Sequence, residues 1–221
     1  YKNTTASGTY DVELALPAPT KVTTDQKTST VYVGSVKGSE VANFTNNYVN
    51  GVLDTRATYL YSDSDQTNEA AGTSGLISDA WMTRAVTRRG ILVTDTLKQI
   101  AFYKNPEKGE ELIDYSIEYN FDGSKHKTAT YYTYSGDLLR SIDVYKNVTA
   151  VSTYAAELLL AAPAKVTNDQ KTATAYLGNT KGSEVADYTN NYVNGVVDTR
   201  ATYRYSGSDQ TDEAAGTAGL I

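Results

Sequence analysis

The run Asp63-Ser64-Asp65-Gln66-Thr67-Asn68-Glu69 carries oxygen ligands at a spacing reminiscent of a calcium loop. The same run recurs as Gly207-Ser208-Asp209-Gln210-Thr211-Asp212-Glu213, which replaces the first carboxylate by a residue with no ligand. With no central glycine and no bidentate glutamate at the expected distance, it reads as a solvated acidic loop. Glu110 with Glu111, or Glu40, offers the carboxylates that glycoside hydrolysis needs. Glu40, Glu111 and Glu184, however, each stand just after a turn, which suits an ion pair or a hydrogen bond to backbone. His126, in Ser124-Lys125-His126-Lys127 beside a turn, reads as an exposed loop residue rather than a base. Rows of tyrosine suit either sugar stacking or face-to-face packing with the hydroxyl reaching water, and packing is favoured. Asn3-Thr4-Thr5, Asn43-Phe44-Thr45 and Asn147-Val148-Thr149 match the N-glycan acceptor pattern, as a chain rich in Asn and Thr does by chance.

The inventory around these residues removes whole chemistries. Among 221 residues there is no Cys, one His, one Trp (Trp81) and one Met (Met82), against 19 Tyr. That excludes a disulfide framework, a thiolate nucleophile, a Cys/His zinc site and a histidine pair. A formal net charge of −6 argues against nucleic acid, which asks for a basic face. No apolar run approaches the ~18–20 residues of a membrane-crossing helix, so no membrane insertion is expected. No catalytic, cofactor-binding or metal-binding residue is assigned, and no cofactor. The sequence opens at Tyr1 without a leader, and the expectation is a piece of something longer.

Self-similarity sets the scale. Tyr1-Lys2-Asn3 recurs as Tyr145-Lys146-Asn147, and the same shift of 144 carries Asp54-Thr55-Arg56-Ala57-Thr58-Tyr59 onto Asp198-Thr199-Arg200-Ala201-Thr202-Tyr203. Positions 1–77 match 145–221 at about 56 of 77 places without a gap. A fainter half-period relates Gly38-Ser39-Glu40-Val41 through Tyr48 to Gly109-Glu110-Glu111-Leu112 through Tyr119, each followed by a turn and a Tyr-x-Tyr strand. The organisation expected is a unit of about 72 residues: 1–72, a diverged 73–144, and 145–221 as a second copy of the first.

The hydrophobic period is two, so the chain reads as β-structure. In 112–121, Ile113, Tyr115, Ile117, Tyr119 and Phe121 share a face, and Ala42, Phe44, Asn46 and Tyr48 share one in the earlier copy. Because Leu60 is matched by Arg204, that position is expected to face solvent, with Tyr59 and Tyr61 turned inward. Turns are expected at Lys37-Gly38, Asn50-Gly51, Lys108-Gly109, Asp122-Gly123 and Ser135-Gly136-Asp137. Two stretches have helical leanings. Tyr154 to Ala162 does by propensity, although its counterpart carries Pro17 and Pro19, and Leu76 to Met82 does with Ser78 as a cap. The fold class expected is all-β: tandem antiparallel hairpins or meanders stacked into an elongated rod.

The run Tyr132-Thr133-Tyr134-Ser135-Gly136-Asp137-Leu138-Leu139-Arg140-Ser141-Ile142-Asp143-Val144-Tyr145 resembles a YD-type repeat, the hairpin unit of RHS shells, with Ser135 where that pattern has Asp. The whole unit, Gly-x-Glu-Val-x-Asn-Phe-Thr followed by Arg-Ala-Thr-Tyr-x-Tyr, is similar to the tyrosine-rich giant tandem-repeat surface proteins of uncultivated bacteria. That resemblance implies a long extracellular or surface-displayed β-structure and supplies no catalytic residues. The function expected is therefore structural: a fibre, sheath or cell-surface stalk whose partners are further copies end to end. The alternatives are an adhesin repeat holding glycan on exposed aromatics and an RHS-like shell.

Overall fold

The computed structural model describes residues 26–34, 37, 40–62, 69–71, 79–205 and 213–214. In chain order the strands are β1 (Thr28–Val33), β2 (Val41–Val49), β3 (Val52–Ser62), β4 (Glu69–Ala70), β5 (Trp81–Arg88), β6 (Leu97–Lys104), β7 (Leu112–Tyr119), β8 (His126–Ser135) and β9 (Leu138–Lys146). A short helix α1 (Tyr154–Leu158) follows, then β10 (Gln170–Leu177), β11 (Val185–Val193), β12 (Val196–Thr202), β13 (Arg204–Tyr205) and β14 (Glu213–Ala214). The chain is all-β, as its alternation demands. Eleven strands form one antiparallel meander in the order β1-β2-β3-β5-β6-β7-β8-β9-β10-β11-β12, with β4 beside β3 and a separate β13-β14 pair. The sheet is unbroken, and residue 144 lies inside β9.

Tight turns drive the meander. Asn50 and Gly51 both have positive φ (50° and 77°), and Asn194 and Gly195 repeat the geometry at 51° and 77°. Two such residues between strands make the hairpin turn whose twist matches the flanking strands. Each of the ten strand pairings along the meander also contains one register shift, the mark of a β-bulge. The registers recur along the chain. Thr28 faces Asn47 and the shift falls at Val31/Tyr32; Thr172 faces Asn191 and the shift falls at Ala175/Tyr176. β2 on β3 and β11 on β12 correspond in the same way, from Phe44–Thr58 to Tyr188–Thr202.

The core lies under β3 and β5 to β9, where Val86, Ile100, Phe102, Tyr115, Ile117, Tyr119, Ala129, Tyr131 and Tyr145 cluster. Phe102 stacks on Tyr115 with ring centroids 4.3 Å apart. The alternation read in 112–121 holds through Tyr115, Ile117 and Tyr119, but Phe121 is exposed. β7 ends at Tyr119, and the turn that follows carries Phe121 out beneath the Arg89 guanidinium.

Leu60 corrects a second expectation. It is buried in the core because β5 lies alongside β3 and brings Arg84 opposite it. Its counterpart Arg204 is exposed. Burial at this position follows the neighbouring strand rather than the residue. The helical reading of 76–82 fails at its end, since Trp81 and Met82 open β5; Leu76 to Ser78 lie outside the described residues. The other leaning survives as five residues, Tyr154–Leu158, which stop short of the positions matching Pro17 and Pro19.

Ile117, fully buried at the centre of the sheet, tests this core. Ile117→Ala is expected to cost about 2–5 kcal/mol in urea unfolding. Val196→Ala, on exposed β12, should leave the urea midpoint almost where it was.

Candidate functional site

Between β9 and β10 the chain leaves the sheet from 147 to 169 and crosses one face of β5 to β9 as a strap. Its entry is pinned by backbone: the His126 N–H donates to Thr149 O at 2.8 Å, and the Val151 N–H to Ser124 O at 3.0 Å. Thr153 then caps α1, its hydroxyl accepting from the Ala156 N–H. Further along, strap carbonyls serve as acceptors for side chains standing up from the sheet. Arg84 Nε donates to Leu158 O at 3.1 Å, the Tyr115 hydroxyl to Leu160 O, and the Tyr131 hydroxyl to Pro163 O. Val151, Leu158 and Leu160 add apolar contact with the core. The Arg88 guanidinium lies over the Tyr154 ring at 4.4 Å, and Lys165 Nζ over the Tyr131 ring at 4.7 Å.

At the centre of the strap sits Glu157, 1% exposed. Its Oε2 accepts from the Tyr119 hydroxyl at 2.7 Å and lies 2.8 Å from His126 Nε2, while Oε1 accepts from the Ser152 N–H at 2.7 Å. The tautomer of His126 follows from its other side. Asn147 Oδ1 is engaged by the Thr149 N–H and hydroxyl, so Asn147 Nδ2 is the atom turned to His126 Nδ1, at 3.4 Å. Nδ1 is then the acceptor and Nε2–H the donor to Glu157, which needs no second charge on the imidazole. Burial by itself would raise the Glu157 carboxyl. The Ser152 N–H, the Tyr119 hydroxyl and His126 outweigh that and hold it below the ordinary carboxylate range. Burial and the adjoining carboxylate push the Tyr119 phenol well up.

His126 is therefore not the exposed loop residue expected from its neighbours. It opens β8, is 3% exposed, and is held beneath the strap. The signal was present in the sequence: Thr153, Tyr154 and Glu157 match Thr9, Tyr10 and Glu13, while Ala155 and Ala156 between them do not match Asp11 and Val12.

The other candidate residues lie elsewhere. Glu111 Oε1 accepts from the Met82 N–H at 2.9 Å and Oε2 from the Gly109 N–H at 2.8 Å. Glu184 does the same with Leu139 and Gly182, at 3.0 and 2.8 Å. Both tie the turn before a strand to the strand two places back, beside a register shift. Backbone bonds hold the Glu184 carboxyl below its ordinary range. Glu110 pairs with Lys181, so Glu110 and Glu111 are engaged separately. Asn147, of the acceptor pattern, is committed to the His126 network. Asn43 stands in β2, and Asn3 and residues 63–68 of the acidic loop lie outside the described residues.

Tyrosines on the opposite face bond within the sheet. Tyr59 donates to Thr45 Oγ1 at 3.0 Å, and Tyr61 to Ala42 O at 2.7 Å. With Glu40, Met82, Lys108 and Glu111, these two tyrosines border a shallow cleft of about 310 Å³. Burial and neighbouring phenols push Tyr103 up to about 12. No protein-family model, curated protein or solved structure matches this chain.

The buried carboxylate has a pH signature. A carboxyl held low in the folded chain stabilises it above its unfolded value of about 4.3, and that contribution is lost as pH falls through the folded value. Glu157→Gln is expected to cost about 2–3 kcal/mol at pH 7, because its amide nitrogen must face a donor, either the Ser152 N–H or the Tyr119 and His126 pair. Urea midpoints of the two proteins should draw together as pH falls below about 4.3, and a gap independent of pH would contradict the ionised Glu157.

Proposed function

We propose that this chain is a segment of a long, repetitive, extracellular β-structure whose work is mechanical: a fibre, sheath or cell-surface stalk. The observation that carries the reading is the recurrence of strand register. β10, β11 and β12 pair as β1, β2 and β3 do, bulge for bulge, one period later, and β10 also accepts β9 along its other edge. An edge equivalent to that of β10 stands at β1, and an edge equivalent to that of β3 stands at β12. In β3, which has β5 alongside, Thr55 is 3% exposed; its counterpart Thr199 in β12 is exposed. A β5-like strand laid on β12 would bury that row, and a β9-like strand on β1 would continue the sheet the other way. Each period then adds eight strands to one sheet, with further copies of the unit as the partners.

A second reading, an adhesin module holding glycan, is favoured by the cleft beside Tyr59 and Tyr61. Specific signals on a glycan array that Tyr59→Ala and Tyr61→Ala both abolish would support it.

Small-angle scattering on chains of one, two and three periods tests the mechanical reading. The maximum dimension should grow by about 38 Å per period, at ~4.8 Å per strand. A dimension that stays constant as the mass doubles would mean that the periods fold back on one another, and would end the reading.

A further inference from the structure

The strap has a counterpart elsewhere in the sequence. Residues 3–25 repeat 147–169 under the shift of 144, and most of the places where the strap touches the sheet are among those that match. Tyr154, which lies under Arg88, is matched by Tyr10; the capping Thr153 by Thr9; and buried Glu157 by Glu13. Leu158 and Leu160, packed on the core, are matched by Leu14 and Leu16. Pro163, whose carbonyl takes the Tyr131 hydroxyl, is matched by Pro19, and Lys165, above the Tyr131 ring, by Lys21. Several outward residues have changed, although exposed Ala162, Val166 and Thr167 keep Ala18, Val22 and Thr23 as counterparts. Val148, Leu159, Ala161 and Ala164, all exposed, correspond to Thr4, Ala15, Pro17 and Thr20. Two contacts depart from this pattern: Val151, packed on the core, corresponds to Ser7, and Ser152, bonded to Glu157, to Gly8, although the backbone bonds both make are open to any residue with an N–H.

Constancy at most of the contacts with the sheet means that 3–25 keeps the complement of a surface. That surface is the strapped face of β5 to β9, with His126, Tyr119, Arg88, Tyr115 and Tyr131 as its polar anchors. In this chain that face already holds 147–169. We propose that residues 3–25 are a second strap and that its docking site is the β5–β9 face of another copy of the unit. Glu13 would enter a pocket equivalent to that of Glu157, between the tyrosine and histidine that match Tyr119 and His126. Each diverged unit would thus be closed by a segment belonging to the next copy along, a join separate from the strand edges. The inference rests on the mechanical reading above and gives it a specific joint.

The test places residues 73–144 ahead of Tyr1, so that Val144 is followed by Tyr1 as it is by Tyr145 in the native chain. Hydrogen exchange then follows two regions: β1, and the added segment equivalent to β7. Glu13→Ala in the extended chain should strip protection from the added β7 amides as fully as Glu157→Ala strips it from Leu112–Tyr119. In the unextended chain Glu13→Ala should leave the protection of Leu112–Tyr119 unchanged. Should either alanine variant fail to fold, the Glu13→Gln and Glu157→Gln pair gives the same comparison. If Glu13 substitutions leave the added β7 as protected as before while β1 amides gain protection from the new neighbour, the strap proposal falls and the continuous sheet stands. If β1 gains none, the continuous sheet falls as well.

Discussion

A lone sheet has an apolar face that something must cover, and here the covering segment has little secondary structure of its own. Leu158 and Leu160 supply apolar area, but such contact is non-directional and would tolerate a strap displaced by a residue. The buried Glu157 carboxylate would not. Desolvating it is costly unless its lone pairs meet donors, and the Tyr119, His126 and Ser152 donors converge at one spot. The charge therefore sets the strap's register on the sheet. Everything downstream, from the carbonyls over Tyr115 and Tyr131 to the return into β10, follows from that anchor.

The strap also marks where two similar runs of strands differ. β5 to β8 and β9 to β12 are four-strand runs whose register shifts fall at corresponding places. Phe102/Tyr103 corresponds to Ala175/Tyr176, and Glu118/Tyr119 to Asn191/Tyr192. They differ in the link after the first strand. From β5 to β6 it is the short 89–96, closed by Asp95 accepting the Leu92 N–H at 2.6 Å; from β9 to β10 it is the long 147–169. The long link is the covering segment, and β5 to β9 present the surface it covers.

Much of this was legible because it is local. Alternation placed Tyr115, Ile117 and Tyr119 on one face, and paired Asn-Gly marked the hairpin turn at Asn50-Gly51. The constancy of Glu111 and Glu184 after a turn pointed to backbone bonding, which the Met82 and Leu139 N–H groups supply. What escaped was set by residues distant in sequence. His126 looks exposed among Ser124, Lys125 and Lys127, and is buried by a segment 31 residues away. Leu60 and Arg204 looked like one solvent-facing site, but two copies report a common environment only where their neighbours also correspond. β5 stands beside one and not the other.

The bulges bear on how such a sheet can remain open. Strongly twisted open sheets of more than about ten strands tend to curl or split, because twist accumulates from strand to strand. This meander has eleven strands and a register shift in every pairing. Each bulge locally raises the twist, so a single one would bend the sheet, whereas one per pairing spreads the effect evenly. Glu111 and Glu184 reinforce that regularity by bonding, beside a bulge, to a strand two places back. A register shift at every step accompanies the registers that β10 to β12 share with β1 to β3, so that bulge corresponds to bulge where the sequences match.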